Sequence, residues 1–163
     1  MAEKEKAHEV QEELNLDAQV SVKSIAGWKT GFARLNSIGD VNITPEGVAR
    51  LTRNEIISQV QNNNTLFCGI GNGEHATYYI DDKATRVYLG FESEDDKSRQ
   101  NVFSDKKVEE AFKKSENSFE KYCREEFRTR AEKYALIQAI KRLRINDYSK
   151  IRFVENYTGY MVQ

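Results

Sequence analysis

The segment Thr65–Phe91, TLFCGIGNGEHATYYIDDKATRVYLGF, decides how the fold is read. Asn72-Gly73 stands between alternating apolar residues. Asn-Gly is the strongest short-range hairpin signal, because both central residues of the turn take positive φ. With a second turn at Asp82-Lys83, the segment reads as three antiparallel strands. Side chains then alternate between two faces. One face carries Phe67, Ala76, Tyr78, Ile80, Val87, Leu89 and Phe91, an apolar set suited to a core. The other carries Leu66, Cys68, Ile70, His75, Thr77, Tyr79, Arg86 and Tyr88. A three-residue second turn, Asp81-Asp82-Lys83, would move Arg86 and Tyr88 to the opposite face.

Upstream, Ala18–Lys23 alternates as a strand, and Val41 and Ile43 mark a short extended piece. Between them, Trp28, Phe32 and Leu35 have helical spacing, while Gly27 and Gly31 favour a strand or bend. Thr44-Pro45-Glu46 is a helix start for Pro45–Leu51. Thr52-Arg53-Asn54-Glu55 is a capping box that opens a helix over Arg53–Gln61. Downstream, helix resumes near Lys106 and meets no Gly or Pro before Leu143. A single rod of that length would span about 55–60 Å, against a radius of gyration of roughly 15 Å for a domain this size. The spacing therefore predicts a break near Ser115-Glu116-Asn117-Ser118, with Asn117 and Glu120 capping the restart. A strand over Ile151–Val154 and a tail over Tyr157–Val162 complete the chain.

The expected fold is α+β: the antiparallel meander over about 65–91 plus N-terminal strands, packed against C-terminal helices. One domain is expected over 18–163, after an acidic segment 1–17 read as a frayed terminus. A winged-helix-like arrangement is the alternative, with Arg53–Gln61 as recognition helix and the Asn72-Gly73 hairpin as wing. The 163 residues are enough to build a core without disulfide or metal. Cys68 and Cys123 suit a reducing compartment, and no signal peptide or membrane span is apparent, so a cytoplasmic protein is expected.

Net charge is −1, but its distribution is uneven. Acidic residues cluster at the N-terminus and at Glu92, Glu94, Asp95 and Asp96, and basic residues cluster from Lys106 to Arg152. On one long helix, Lys121, Arg124, Arg128 and Arg142 share a side opposite the apolar stripe Phe119, Cys123, Phe127, Ala131, Tyr134 and Ile137. Lys141, Arg142 and Arg144 lie at its C-terminal end, where the dipole favours cations. Glu120–Arg124 and Glu126–Arg130 have the spacing of i,i+4 pairs.

These features point to binding rather than catalysis. His75, Tyr79, Arg86 and Tyr88 on the sheet, with Lys121, Arg124, Arg128, Lys141, Arg142 and Arg144 on the helix, offer rings and cations for bases and phosphates. The leading expectation is a non-catalytic protein acting on nucleic acid or a nucleoprotein complex. The alternative is a protein-binding inhibitor or adaptor using acidic segments and exposed aromatics. The Asn- and Lys-rich composition suits an AT-rich coding sequence, as in many phages and plasmids. A third reading makes Cys68 and His75 a thiol–imidazole pair.

Gly69-Ile70-Gly71-Asn72-Gly73 is not a phosphate loop, because a strand rather than a helix is expected after it. With only His8 and His75 and no Cys-x-x-Cys spacing, no metal or cofactor is expected.

Overall fold

The computed structural model describes residues 14–95, 97 and 99–162. Most of the acidic N-terminal segment, over 1–13, lies outside them. The described chain runs β1 (Gln19–Ser24), β2 (Thr30–Ala33), β3 (Asp40–Ile43), β4 (Val48–Thr52), α1 (Arg53–Gln61), α2 (Thr65–Cys68), β5 (Tyr78–Ile80), α3 (Lys83–Tyr88), α4 (Asp105–Phe112), α5 (Glu116–Glu126), α6 (Arg130–Arg142) and α7 (Tyr148–Thr158). β1 is the middle strand of an antiparallel sheet, order β4-β1-β5, and β2 pairs with β3 in a separate hairpin. The fold is α+β.

β1 shows the expected alternation. Val20, Val22 and Ser24 are buried, while Gln19 and Lys23 are exposed. The inward residues join Val41, Ile43, Leu51, Ile56, Phe67, Tyr78 and Ile80 in one core. A second core gathers Val108, Phe119, Cys123, Phe127, Leu136, Ile140 and Val154 from α4–α7. The molecule thus has a sheet lobe and a helical lobe.

The meander does not form. The Asn72-Gly73 turn does, with φ of 52° and 76° and a bond from Glu74 N to Gly71 O at 3.0 Å. No strand precedes it, however. Asn63 takes a left-handed φ of 57° just past the end of α1, and the Asn64 side chain then caps α2 by accepting from Leu66 N. Local capping overrides the apolar alternation of Thr65–Cys68. At Gly69 an added Cβ would stand 2.0 Å from Glu74 O, so the loop closes on bare backbone. The second turn is likewise a helix start. The Asp82 side chain accepts from Thr85 N and opens α3. Only Tyr78–Ile80 remains as strand, and it pairs with β1. Without a hairpin at Asn72-Gly73 the expected wing is missing, and α1 turns Ile56 and Ile57 into the protein.

Other expectations divide. Arg53–Gln61 is helical, and Thr52 accepts from Glu55 N. Glu55 does not complete the capping box, because its carboxylate accepts from Leu35 N at 2.8 Å and Asn36 N at 3.4 Å. Pro45–Gly47 is a tight turn, and the rest of the expected helix Pro45–Leu51 is the strand β4. Gly47 N bonds to Thr44 O, and cross-strand pairing with β1 outweighs the helix-start signal. The break near Ser115 is present, but Ser115 takes the cap position without a side-chain bond, in place of Asn117 and Glu120. A second break falls at Phe127–Thr129, where Thr129 and Glu132 form a reciprocal capping box. Ile151–Val154 lies inside α7, which Asp147 caps and Gly159 ends at φ 76°. Ile151 and Val154 are three apart, a helical spacing as well as a β-prone pair.

The lobes meet through buried contacts. Glu132 is fully buried and holds His75 Nδ1 at 2.8 Å. Its carboxylate also accepts from Thr129 N and Arg128 N. A carboxylate only accepts, so His75 Nδ1 is the donor. His75 N donates to Asn101 O at 3.0 Å. Trp28 packs edge-on against Tyr134, under the Arg130 guanidinium.

Candidate functional site

The residues proposed from sequence separate into five places. His75 is buried at the lobe junction and shares no exposed face with the others. Tyr88 is on α3, about half exposed. Tyr79 lies on the outward side of the sheet beside Lys23, its cross-strand partner. The Arg86 guanidinium sits 5.2 Å from the Tyr79 ring centroid. Arg86 Nε donates to Glu92 and its NH1 to Ile80 O, so Arg86 is a support for the ring.

Lys141, Arg142 and Arg144 gather at the C-terminal end of α6, where Arg142 pairs with Asp105 at 2.5 Å. Lys121, Arg124 and Arg128 lie on α5 and just beyond it. The thirteen residues of α6, which carries Lys141 and Arg142 at its far end, separate Arg128 from Arg144, about 20 Å of helix.

The break at Phe127–Thr129 interrupts the expected long helix, so the single basic stripe becomes two patches. The apolar stripe survives the break, with Phe119, Cys123, Phe127, Ala131 and Ile137 buried and Tyr134 half-buried.

The more developed patch is built on aromatic rings. Phe153 and Tyr157, one turn apart on α7, lie parallel with centroids 5.8 Å apart. The Arg124 guanidinium covers Phe153 at 5.1 Å, and the Lys133 ammonium covers Tyr157 at 4.7 Å. Tyr157 is fixed by donating its hydroxyl to Phe127 O at 2.8 Å. Burial pushes that hydroxyl's pKa up, and the Arg124 and Arg128 guanidinium groups oppose the shift. Lys121 and Arg124 are exposed one turn apart on α5, and Arg128 is exposed just beyond its end.

Neither i,i+4 pair drawn from spacing forms. Glu126 binds Lys107 at 3.1 Å, and Arg130 lies over Trp28 beyond the break. Among the described residues, no carboxylate pairs with Lys121, Arg124, Arg128 or Lys133. Packing on a ring holds a cationic side chain in place and keeps its N–H donors toward solvent. Lys133, Phe153 and Tyr157 were missed from sequence because 151–154 read as a strand. Their signal was the aromatic i,i+4 spacing of Phe153 and Tyr157.

Cys68 and His75 are engaged apart from each other. Cys68 Sγ donates to Val60 O at 3.7 Å, and burial pushes its thiol pKa up, away from the thiolate a nucleophile needs. His75 Nδ1 is taken by Glu132. Among the described residues, no three His, Cys, Asp or Glu side chains group to hold a metal ion, and no helix is long and apolar enough to cross a membrane. No protein-family model, curated protein or solved structure matches the chain.

Proposed function

We propose that the protein is a non-catalytic binding protein that holds nucleic acid, alone or in a nucleoprotein complex, on the helical face of Lys121, Arg124, Arg128 and Lys133. The observation that carries this reading is the set of cations seated on the stacked Phe153 and Tyr157 rings without acidic partners among the described residues. Net charge is −1, so attraction to a polyanion has to come from a local patch. Phosphates recognised by three or four cations of this face, Lys121 and Arg128 with the ring-seated Arg124 and Lys133, give an association that weakens steeply with salt, with a log–log slope of about −3 on duplex DNA.

Fluorescence anisotropy with short labelled single- and double-stranded DNA and RNA, over a salt series, tests the proposal. Arg124→Glu with Arg128→Glu is expected to lower affinity at least about tenfold at low salt and to flatten the slope. No association with any of these probes at low salt overturns it.

A protein partner is the second reading, and the loop between β2 and β3 favours it. Ile38 is 101% exposed and Leu35 is 47% exposed. The loop is held in shape by the buried Glu55 carboxylate and by Asn36 bonded to Ser58. An apolar tip on a fixed loop suits an adaptor or inhibitor contact. Capture of a partner from nuclease-treated lysate, lost with Ile38→Asp, is the outcome expected of this reading.

A further inference from the structure

We propose a second site: the cleft between the two lobes binds a single nucleotide, free or as the unpaired end of a strand, with its base on Tyr79 and its phosphate at Lys23. The cleft encloses about 680 Å³, within the range of small-ligand pockets. Its floor is the outward side of the sheet, where Lys23 and Tyr79 are cross-strand partners. Side chains so placed have Cβ atoms about 5 Å apart, close enough for one ligand to touch both.

Tyr79 is prepared for stacking. The Arg86 guanidinium lies against its ring, and Arg86 is itself tied to Glu92 and Ile80 O. Lys23 is exposed and has no carboxylate partner among the described residues. Opposite, the helical lobe contributes Phe103, Asp105 and Arg142. Asp105 already neutralises much of Arg142, which leaves Lys23 as the main phosphate anchor.

The fourth charged group decides the ligand class. Glu46 lines the cleft at a left-handed φ of 53°, pinned by its N–H to Ala26 O. A non-glycine residue held at positive φ is strained, and such strain concentrates at functional positions. An exposed carboxylate lining the same cleft as Lys23 repels a bare anion. It accepts hydrogen bonds from a ligand that also carries N–H or O–H donors. A flat ring, an anionic group and such donors together describe a nucleotide, through its base, phosphate, and amino or ribose hydroxyl groups.

The test is titration of the isotopically labelled full chain with each of the four nucleoside 5′-monophosphates, followed by amide shifts. A 5′-phosphorylated short single strand and inorganic phosphate are run in parallel. Saturable shifts clustered at Lys23, Tyr79 and Phe103 are expected with a nucleotide and not with inorganic phosphate. Tyr79→Leu is expected to weaken binding about tenfold or more, and Tyr79→Phe to keep the stacking contribution. Lys23→Gln is expected to weaken the nucleotide and to remove its preference over the matching nucleoside. A tighter fit of the strand than of the monophosphate assigns the site to strand ends, and the reverse assigns it to free nucleotides.

Shifts with phosphate alone, shifts lying elsewhere, or no saturation by nucleotides or strand overturn the proposal. Tyr148→Ala, at the first position of α7, 77% exposed and outside the cleft lining, controls for nonspecific effects.

Discussion

The two lobes spend their charged residues differently. In the sheet lobe the charges are turned inward as structural ties. Arg53 donates to Thr85, Asp82 and Asn15 O, Arg86 to Glu92 and Ile80 O, and Glu55 gathers the Leu35 and Asn36 amides. In the helical lobe, Lys150 plays that inward role by donating to Phe112 O and Lys114 O near the end of α4. Lys121, Arg124, Arg128 and Lys133 stay outward. A guanidinium fully bonded within the protein has few donors left for a ligand, whereas one resting on a ring keeps them. Counting basic residues in the sequence therefore says little about binding until their partners are known.

The largest expected effect of a single substitution lies at the junction of the lobes. Among the described residues, Glu132 is the one carboxylate of the helical lobe used as the sheet lobe uses its own, buried and bonded to His75, Arg128 N and Thr129 N. Glu132→Ala removes the capping box and leaves His75 buried without its partner. The expected cost is about 3–5 kcal/mol in urea unfolding monitored by circular dichroism. A loss below about 1 kcal/mol would show that the junction is not held by this pair. A double-mutant cycle with His75→Ala separates their coupling from the cap.

Glu55→Ala is the next largest. It strands two amides of the β2–β3 loop, and a charge-assisted tie of this kind contributes about 2–3 kcal/mol. Hydrogen exchange at Leu35 and Asn36 should rise well beyond that of α1. Equal exchange in both variants would mean that the loop's shape does not depend on the carboxylate.

These ties also explain what the sequence could and could not disclose. β1 and α1 were legible because alternation and a Thr52 cap are local signals. The Asn72-Gly73 turn was legible too, but its flanks were not, since Asn64 and Asp82 serve equally as turn residues and as helix caps. The choice depended on Arg53, about thirty positions away, bonding Asp82 and Thr85. The candidate site was legible as basic residues on α5, whereas the rings beneath them belong to α7. Only the break at Phe127–Thr129 and the packing of the helices bring the two together.

The two lobes should also respond differently to pH. Burial raises the Asp82 and Glu92 carboxyl pKa values, but bonds from Thr85 and Arg53 to the first, and from Arg86 to the second, outweigh it. Both end below their ordinary values of 3.8 and 4.5. The stability they contribute is present above those values and is lost as pH falls through the lowered ones. In the helical lobe, burial pushes the Cys123 thiol and the Tyr122 hydroxyl up to about 12. That contribution holds below the ordinary values of 9.0 and 10.0 and is lost as pH rises toward about 12. Amide spectra should therefore lose sheet-lobe dispersion first in acid. In strong alkali the helical lobe should loosen, together with Tyr78 and Cys68 of the sheet lobe, whose pKa values burial also raises. Simultaneous loss of both lobes in acid would make them one cooperative unit.

The smallest expected effect lies at the far end of α6. Arg144 takes φ 53° just past the helix, with Arg144 N bonded to Lys141 O and Ile145 N to Ile140 O. This is the double bond pattern in which glycine is preferred, because a Cβ in the left-handed region is strained. Arg144→Gly relieves that strain and loses some chain entropy in return, for a net gain of about 0.5–1 kcal/mol. The same substitution deletes a cation from the second basic patch, about 20 Å of helix from Arg128. If the face over Phe153 and Tyr157 carries polyanion binding, Arg144→Gly should raise the urea midpoint while leaving the salt slope unchanged. A slope reduced by about one unit would instead place a phosphate contact at this end of α6.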